Sequence, residues 1–131
     1  MATIFTRIIN GEIPAYKIAE DDKFCAFLDA FPIAKGHTLI VPKQETDYIF
    51  DLDDDLLARM HIFAKKVAKA LVKAVPCKRI GTAVIGLEVP HAHLHLIPMN
   101  KMADMSFDNP KLKLSPEEFR EIQAKVIAYL G

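Results

Sequence analysis

Between Pro90 and Pro98 the chain reads His91-Ala92-His93-Leu94-His95-Leu96-Ile97, alternating an imidazole with an apolar side chain. A period of two belongs to extended chain, where successive side chains point to opposite faces. The segment therefore predicts a strand over residues 89–98, with Ala92, Leu94 and Leu96 turned to a core. The three imidazoles then share the other face, successive members roughly 6.5–7 Å apart. A fold that accepts this strand must bury one face and leave polar rings grouped on the other. Three of the chain's five histidines stand in this run, which marks it as a site rather than a scatter of surface residues.

The other elements follow from weaker signals. Ile4 to Asn10 predicts a short helical turn ending at Gly11. Tyr16 to Glu20 and Lys23 to Asp29 read as two strands around an Asp21-Asp22 turn. A third, His37 to Val41, stops at Pro42. The clearest helix runs from Asp53 to Val75. Asp53 caps it, Asp54 and Asp55 suit its positive end, and Leu56, Met60, Phe63, Val67, Leu71 and Ala74 recur at three- and four-residue steps. His61 falls on the flank of this helix, an ordinary position on an amphipathic surface. Arg79 to Ile85 predicts a further strand. Ser115-Pro116-Glu117-Glu118 is a capping box that opens a final helix, with Phe119, Ile122, Val126 and Leu130 facing inward. Antiparallel-looking strands with helices between them predict an α+β fold: about five strands, one long central helix and a C-terminal helix.

At 131 residues the chain suits one domain, 1–131, with its core in 4–98 and a C-terminal loop and helix over 99–131. Lys plus Arg (17) balances Asp plus Glu (17), so no global field draws it to nucleic acid or an anionic membrane. Phosphate, if bound, must be held locally. Cys25 and Cys77 make no disulfide framework, and Cys25, inside an apolar run, reads as a small hydrophobe. The N-terminal residues lack a basic flank and apolar stretch, and no apolar run approaches the ~18 residues of a membrane span. The expected compartment is the cytoplasm.

Two chemistries suit three histidines in alternation. Imidazole is a common metal ligand, although three rings along one strand strain to meet at one ion. Alternatively one ring attacks a phosphoryl group while its neighbours donate hydrogen bonds to the phosphoryl oxygens, the central His93 being the natural nucleophile.

The run resembles the His-φ-His-φ-His-φ-φ motif (φ apolar) of the histidine-triad (HIT) superfamily of nucleotide hydrolases and transferases. Ile4-Phe5-Thr6-Arg7-Ile8-Ile9-Asn10-Gly11-Glu12-Ile13-Pro14 resembles that family's N-terminal signature. Ala26-Phe27-Leu28-Asp29 and Lys35-Gly36-His37-Thr38-Leu39-Ile40-Val41-Pro42-Lys43 resemble its second block. Together these blocks cover roughly residues 4 to 98, nearest to the nucleoside phosphoramidase-like branch.

The resemblance implies a homodimer sharing one sheet, a purine nucleotide substrate, and attack on its α-phosphate through a covalent nucleotidyl-histidine. It implies His93 as nucleophile, His95 as donor to a phosphate oxygen, His91 as the residue that orients His93 through its backbone, and His37 as the end of a hydrogen-bonding relay. Asp29 would hold the ribose hydroxyls, and Ile4, Phe5, Ile8, Ile13 and Phe27 would wall the base. Three departures stand out. Relatives often carry Cys-x-x-Cys ligands for a structural zinc where this chain has Thr3 and Thr6, and a histidine near Gln44-Glu45, so neither metal nor cofactor is expected. The Gly-rich, Asn-containing loop before the triad is reduced to Val84-Ile85-Gly86-Leu87-Glu88-Val89-Pro90. Its one ionisable side chain, Glu88, becomes the candidate leaving-group acid, though strict alternation aligns Val89 with the triad instead. Third, His95 is not replaced by Gln, which favours the hydrolase branches. The leading expectation is a hydrolase of nucleoside 5'-monophosphate derivatives, phosphoramidate, polyphosphate or acyl-linked. The alternatives are a slow nucleotide-binding or adaptor protein of the same fold and a metal-dependent enzyme.

Overall fold

The computed structural model describes residues 2–130. Helix α1 (Ile4–Ile9) is capped by the Thr3 side chain, which accepts from the Thr6 backbone N–H, and it ends at Asn10. Gly11 follows at φ +80°, the left-handed conformation that closes a helix and costs other residues strain. Then come β1 (Lys17–Glu20), β2 (Phe24–Leu28), β3 (Thr38–Pro42), α2 (Asp54–Ala74), β4 (Arg79–Ala83), β5 (Leu94–Met99) and α3 (Pro116–Leu130). Single 3₁₀ turns occupy Ile49–Asp51 and Met102–Met105. The expected α+β class, with its five strands, long helix and C-terminal helix, is the class observed.

The strands form one sheet in the order β1-β2-β3-β5-β4, every pair antiparallel. Asp53 caps α2 by accepting from the Leu56 N–H at 2.7 Å. The Ser115–Glu118 box closes reciprocally at 3.0 and 3.1 Å. Period-two alternation sorts the sheet's side chains. Phe24, Ala26, Leu28, Ile40, Leu94 and Leu96 pack under α2 and α3, which contribute Met60, Phe63, Val67, Leu71, Phe119, Ile122 and Val126. The C-terminal helix is thus part of the main core. On the opposite face Cys25, Phe27, Leu39 and Val41 meet Phe5 and Ile8 of α1. Burial, with the Glu20 charge adding to it, pushes the Cys25 thiol up to about 11, so it packs as a small hydrophobe.

The histidine strand is shorter than its alternation predicts. The ladder starts at Leu94, leaving His91, Ala92 and His93 outside it. Pro90 has no N–H to give, the His91 N–H turns back to the Val89 carbonyl at 2.8 Å, and the Ala92 N–H bonds Thr46 O at 2.7 Å. Alternation of the side chains survives even so, since Ala92 joins Leu94 and Leu96 in the core. Strand β4 likewise stops at Ala83, two residues short of Ile85, and β3 begins one residue after His37. Among the described residues, no helix is long and apolar enough to cross a membrane.

Candidate active site

His37 lies just before β3, held there by Gly36. At φ +90° a Cβ on Gly36 would press the Val75 side chain at 2.9 Å, with Pro98 and Leu71 at 3.2 and 3.3 Å. Register carries the rest: β3 and β5 set Leu39 opposite His95, and β4 sets Ala83 against it from the other side. The His37 and His95 rings come together at 5.1 Å between centroids, and those of His93 and His95 at 4.9 Å.

Hydrogen-bond partners settle which nitrogen carries each proton. The Ile33 backbone N–H donates to His37 Nδ1 at 3.1 Å, so the His37 proton sits on Nε2. That Nε2–H donates to His95 Nδ1 at 2.9 Å, which leaves the His95 proton on its own Nε2. His93 Nδ1 is 2.7 Å from the His91 carbonyl, a group that only accepts. The neutral tautomer that this bond selects for His93 carries its proton on Nδ1 and its lone pair on Nε2. Burial, with Lys111 and His93 adding to it, lowers His37 to about 4; burial, then His37 and His93, lowers His95 to about 3. Both rings are neutral at pH 7, and a lone pair on one histidine stands beside an N–H donor on the next.

His91 is wholly buried and takes a different part. Its Nε2–H donates to the Pro42 carbonyl at 2.8 Å, and its Nδ1 accepts the Thr3 hydroxyl proton at 2.7 Å. Thr6 Oγ1 donates to Glu45 Oε1 at 2.8 Å, and the Thr3 backbone N–H donates to the same oxygen at 2.7 Å. Those bonds, the backbone one first, hold the Glu45 carboxyl below its usual range. Thr3, Thr6, Glu45 and His91 thus stand together where the resemblance implies a structural zinc. Two hydroxyls, one carboxylate and one imidazole that already satisfy one another do not fit that ion. Asp29, His37 and His95 also bring potential ligand atoms within 4.8 Å of one another. There the two imidazoles spend their facing nitrogens on each other, an arrangement suited to sharing a proton.

A cavity of about 460 Å³ opens in front of His93 and His95, within the usual range for a small-molecule site. Ile4, Phe5, Ile8, Ile13 and Phe27 line it, with Asp29, His37 and Glu88. Of the catalytic and nucleotide-binding residues expected from the sequence, His91 alone is absent from its wall as described. Phe5 is edge-on to Phe27 at 5.5 Å and to His93 at 5.0 Å. Asp29 anchors one carboxylate oxygen on the Phe31 N–H at 2.8 Å and holds the other 3.5 Å from His37 Nε2. Glu88 reaches the wall because residues 84–93 leave the ladder, so the alternation that would have excluded it does not apply; its side chain is exposed at the rim. Sequence reasoning missed Phe107 and Lys111, which also line the cavity. The available signal was one aromatic ring in the polar stretch Ser106-Phe107-Asp108-Asn109. A second hollow of about 350 Å³, lined by Tyr48, Phe50, Val84, Ile85 and His61, meets the first at His93.

The family model of the HIT domain matches residues 10–102. An adenosine 5'-monophosphoramidase of Schizosaccharomyces pombe is 33% identical over 132 residues, covering 96% of this chain and 99% of its own length. The crystal structure of a HIT-like protein of Bartonella henselae, described as involved in cell-cycle regulation, superposes with a TM-score of 0.83 at 30% identity, covering 97% and 95% of the two chains. A zinc-bound histidine-triad protein of Mycobacterium smegmatis gives 0.81 at 28% identity, covering 98% and 95%.

Proposed function

This chain belongs to the HIT domain family, and from that premise we propose that it hydrolyses nucleoside 5'-monophosphate derivatives through a covalent nucleotidyl-histidine. The observation that carries the reading is the protonation pattern: a lone pair on His93 Nε2 beside an N–H on His95 Nε2, at the floor of an apolar cavity. In the first step His93 Nε2 attacks the α-phosphorus, forming a P–N bond as the bond to the leaving group breaks. His95 Nε2–H steadies a non-bridging oxygen. His37 fixes the His95 tautomer, and the His91 carbonyl fixes that of His93. Glu88 at the rim hands a proton to the departing amine or phosphate. In the second step water attacks phosphorus and gives its proton to the Glu88 carboxylate, the P–N bond breaks, and nucleoside monophosphate leaves with His93 and the Glu88 acid both restored. In this reading Ile4, Phe5, Ile8, Ile13 and Phe27 supply apolar walls for a purine, and Asp29, which lines the same cavity, accepts from the ribose hydroxyls.

The working unit is proposed to be a homodimer. Strand β4 ends the sheet, and the exposed Tyr48, Phe50, Val84 and Ile85 line the hollow beside it. A second copy there would cover both the free edge and the apolar hollow that reaches His93. Light scattering near 14.7 kDa at micromolar concentration would contradict it.

The decisive experiment is pre-steady-state turnover of an adenosine 5'-phosphoramidate with a fluorescent amine leaving group. The expected result is a burst of amine equal to the active sites, a nucleotidyl group retained on the protein through an acid-labile P–N bond, and neither in His93→Asn. That variant should still bind AMP within about tenfold of wild type. Turnover in His93→Asn at a tenth of the normal rate would end the covalent reading. A wild-type protein that binds nucleotide without a burst would favour the slow binding or adaptor function.

A further inference from the structure

Residues 99–114, to which the sequence assigns no role, fold back over the cavity. The Asp104 carboxylate accepts from the Asn100 and Lys101 N–H groups at 2.8 and 3.0 Å. Asn109 Nδ2 donates to the Ala103 carbonyl at 2.8 Å. The Leu112 N–H donates to the Pro32 carbonyl at 2.8 Å, tying the segment to the loop between Asp29 and His37. Phe107 lays its ring edge-on against His95 at 4.7 Å and His37 at 6.2 Å. The strap therefore touches both members of the histidine relay.

Lys111 stands on this strap with its Nζ 5.8 Å from the centre of the Phe107 ring, and its side chain lines the cavity. The charges around that cavity are unequal. Among the described residues, two carboxylates, Asp29 and Glu88, line it against a single ammonium. Two of its histidines, His37 and His95, offer no standing positive charge, because burial keeps them neutral. Lys111 contributes to that neutrality, its charge opposing protonation of both rings. A phosphoryl group is an anion, and N–H donors alone orient it without offsetting its charge.

We propose that Lys111, held over the cavity by the 106–114 strap, is the cation that recognises the phosphate of the nucleotide. The inference rests on the nucleotide reading above and adds to it which side chain anchors the phosphate and which segment carries it. Apolar walls would then select the nucleoside, and Lys111 would reward the presence of its 5'-phosphate. The compact ammonium on a flexible stem can follow the phosphoryl group as it moves onto His93.

The test is titration calorimetry of the full-length protein with AMP and with adenosine at low salt, using wild type, Lys111→Met and Lys111→Arg. Methionine keeps most of the stem without the charge, and position 111 is exposed, so the fold should hold. Expected for Lys111→Met is AMP affinity about tenfold weaker with adenosine affinity within about twofold, and for Lys111→Arg most of the AMP affinity retained. Added salt should weaken AMP binding to wild type more than to Lys111→Met. Unchanged AMP affinity in Lys111→Met would overturn the inference. Equal weakening of both ligands would overturn it too, making the strap a wall only. A wild-type protein that binds neither ligand would overturn the nucleotide reading itself, and this inference with it.

Discussion

On one face of the sheet, Phe24, Ala26, Ile40, Leu94 and Leu96 meet two helices of 21 and 15 residues. On the other, Cys25, Phe27, Leu39 and Val41 meet one helix of six. Both faces are written by the same alternation along the same strands, and what differs is how much structure comes back to cover them. Two long amphipathic helices close the first face into a dry core. One short helix and a strap cannot close the second, and the uncovered area is the cavity in front of His93 and His95. The histidines next to that cavity are buried, and among the described residues no buried side-chain nitrogen or oxygen lacks a hydrogen bond. The first face stabilises the fold through area removed from water, the second holds a site through paired protons.

Mutations that respect this division should behave differently on the two sides. Leu96 is fully buried under the helices. Leu96→Ala should cost about 2–5 kcal/mol in urea unfolding, whereas Ile13→Ala, on the half-buried cavity wall, should cost less than about 1 kcal/mol and weaken nucleotide binding instead. Equal losses would mean the two faces are not distinct in stability.

Acid should attack the histidine side next. His37 and His95 are lowered to about 4 and about 3, and burial lowers His91 as well, so from pH 6.5 downward the unfolded chain binds protons that the folded one refuses. Their contribution is fully present above about pH 6.5 and is lost as the pH falls toward 4, at about 1.4 kcal/mol per pH unit for each proton taken up. Urea midpoints at pH 7, 5.5 and 4.5 measure it. A flat profile for wild type, or one as steep in His37→Asn, would remove the relay from the account.

Thr3→Val should cost about 1–3 kcal/mol, because it strips the cap from α1 and leaves His91 Nδ1 buried without its donor. Stability unchanged within error would show that the Thr3–His91 bond is dispensable. The smallest effect belongs to the rim. Glu88→Gln should leave stability untouched and slow only substrates with a poor amine leaving group, sparing those with an activated aryl group. Equal rates on both would return Glu88 to solvent.

Much of the site could be read from the chain because its information is local. The alternation from His91 to Leu96 states the strand, the buried face and the histidine face without knowledge of any other segment, and the apolar steps of α2 do the same for a helix. Turn and strand ends were misplaced by one to several residues where a backbone N–H found a distant partner, as Ala92 did in Thr46. The amino-acid sequence by itself determined the α+β class, the pairing of apolar faces and the identity of the clustered histidines, because side-chain periodicity is a property of neighbouring residues. Only the tertiary structure decided which nitrogen carries the proton in His37, His91 and His95. Those protons are placed by groups far along the chain or on the backbone: Thr3 for His91, 88 residues away, and the Ile33 N–H through His37 for His95, 58 residues from that ring. No local pattern can encode such a bond, because it exists only once folding has brought its two ends within 3 Å of each other.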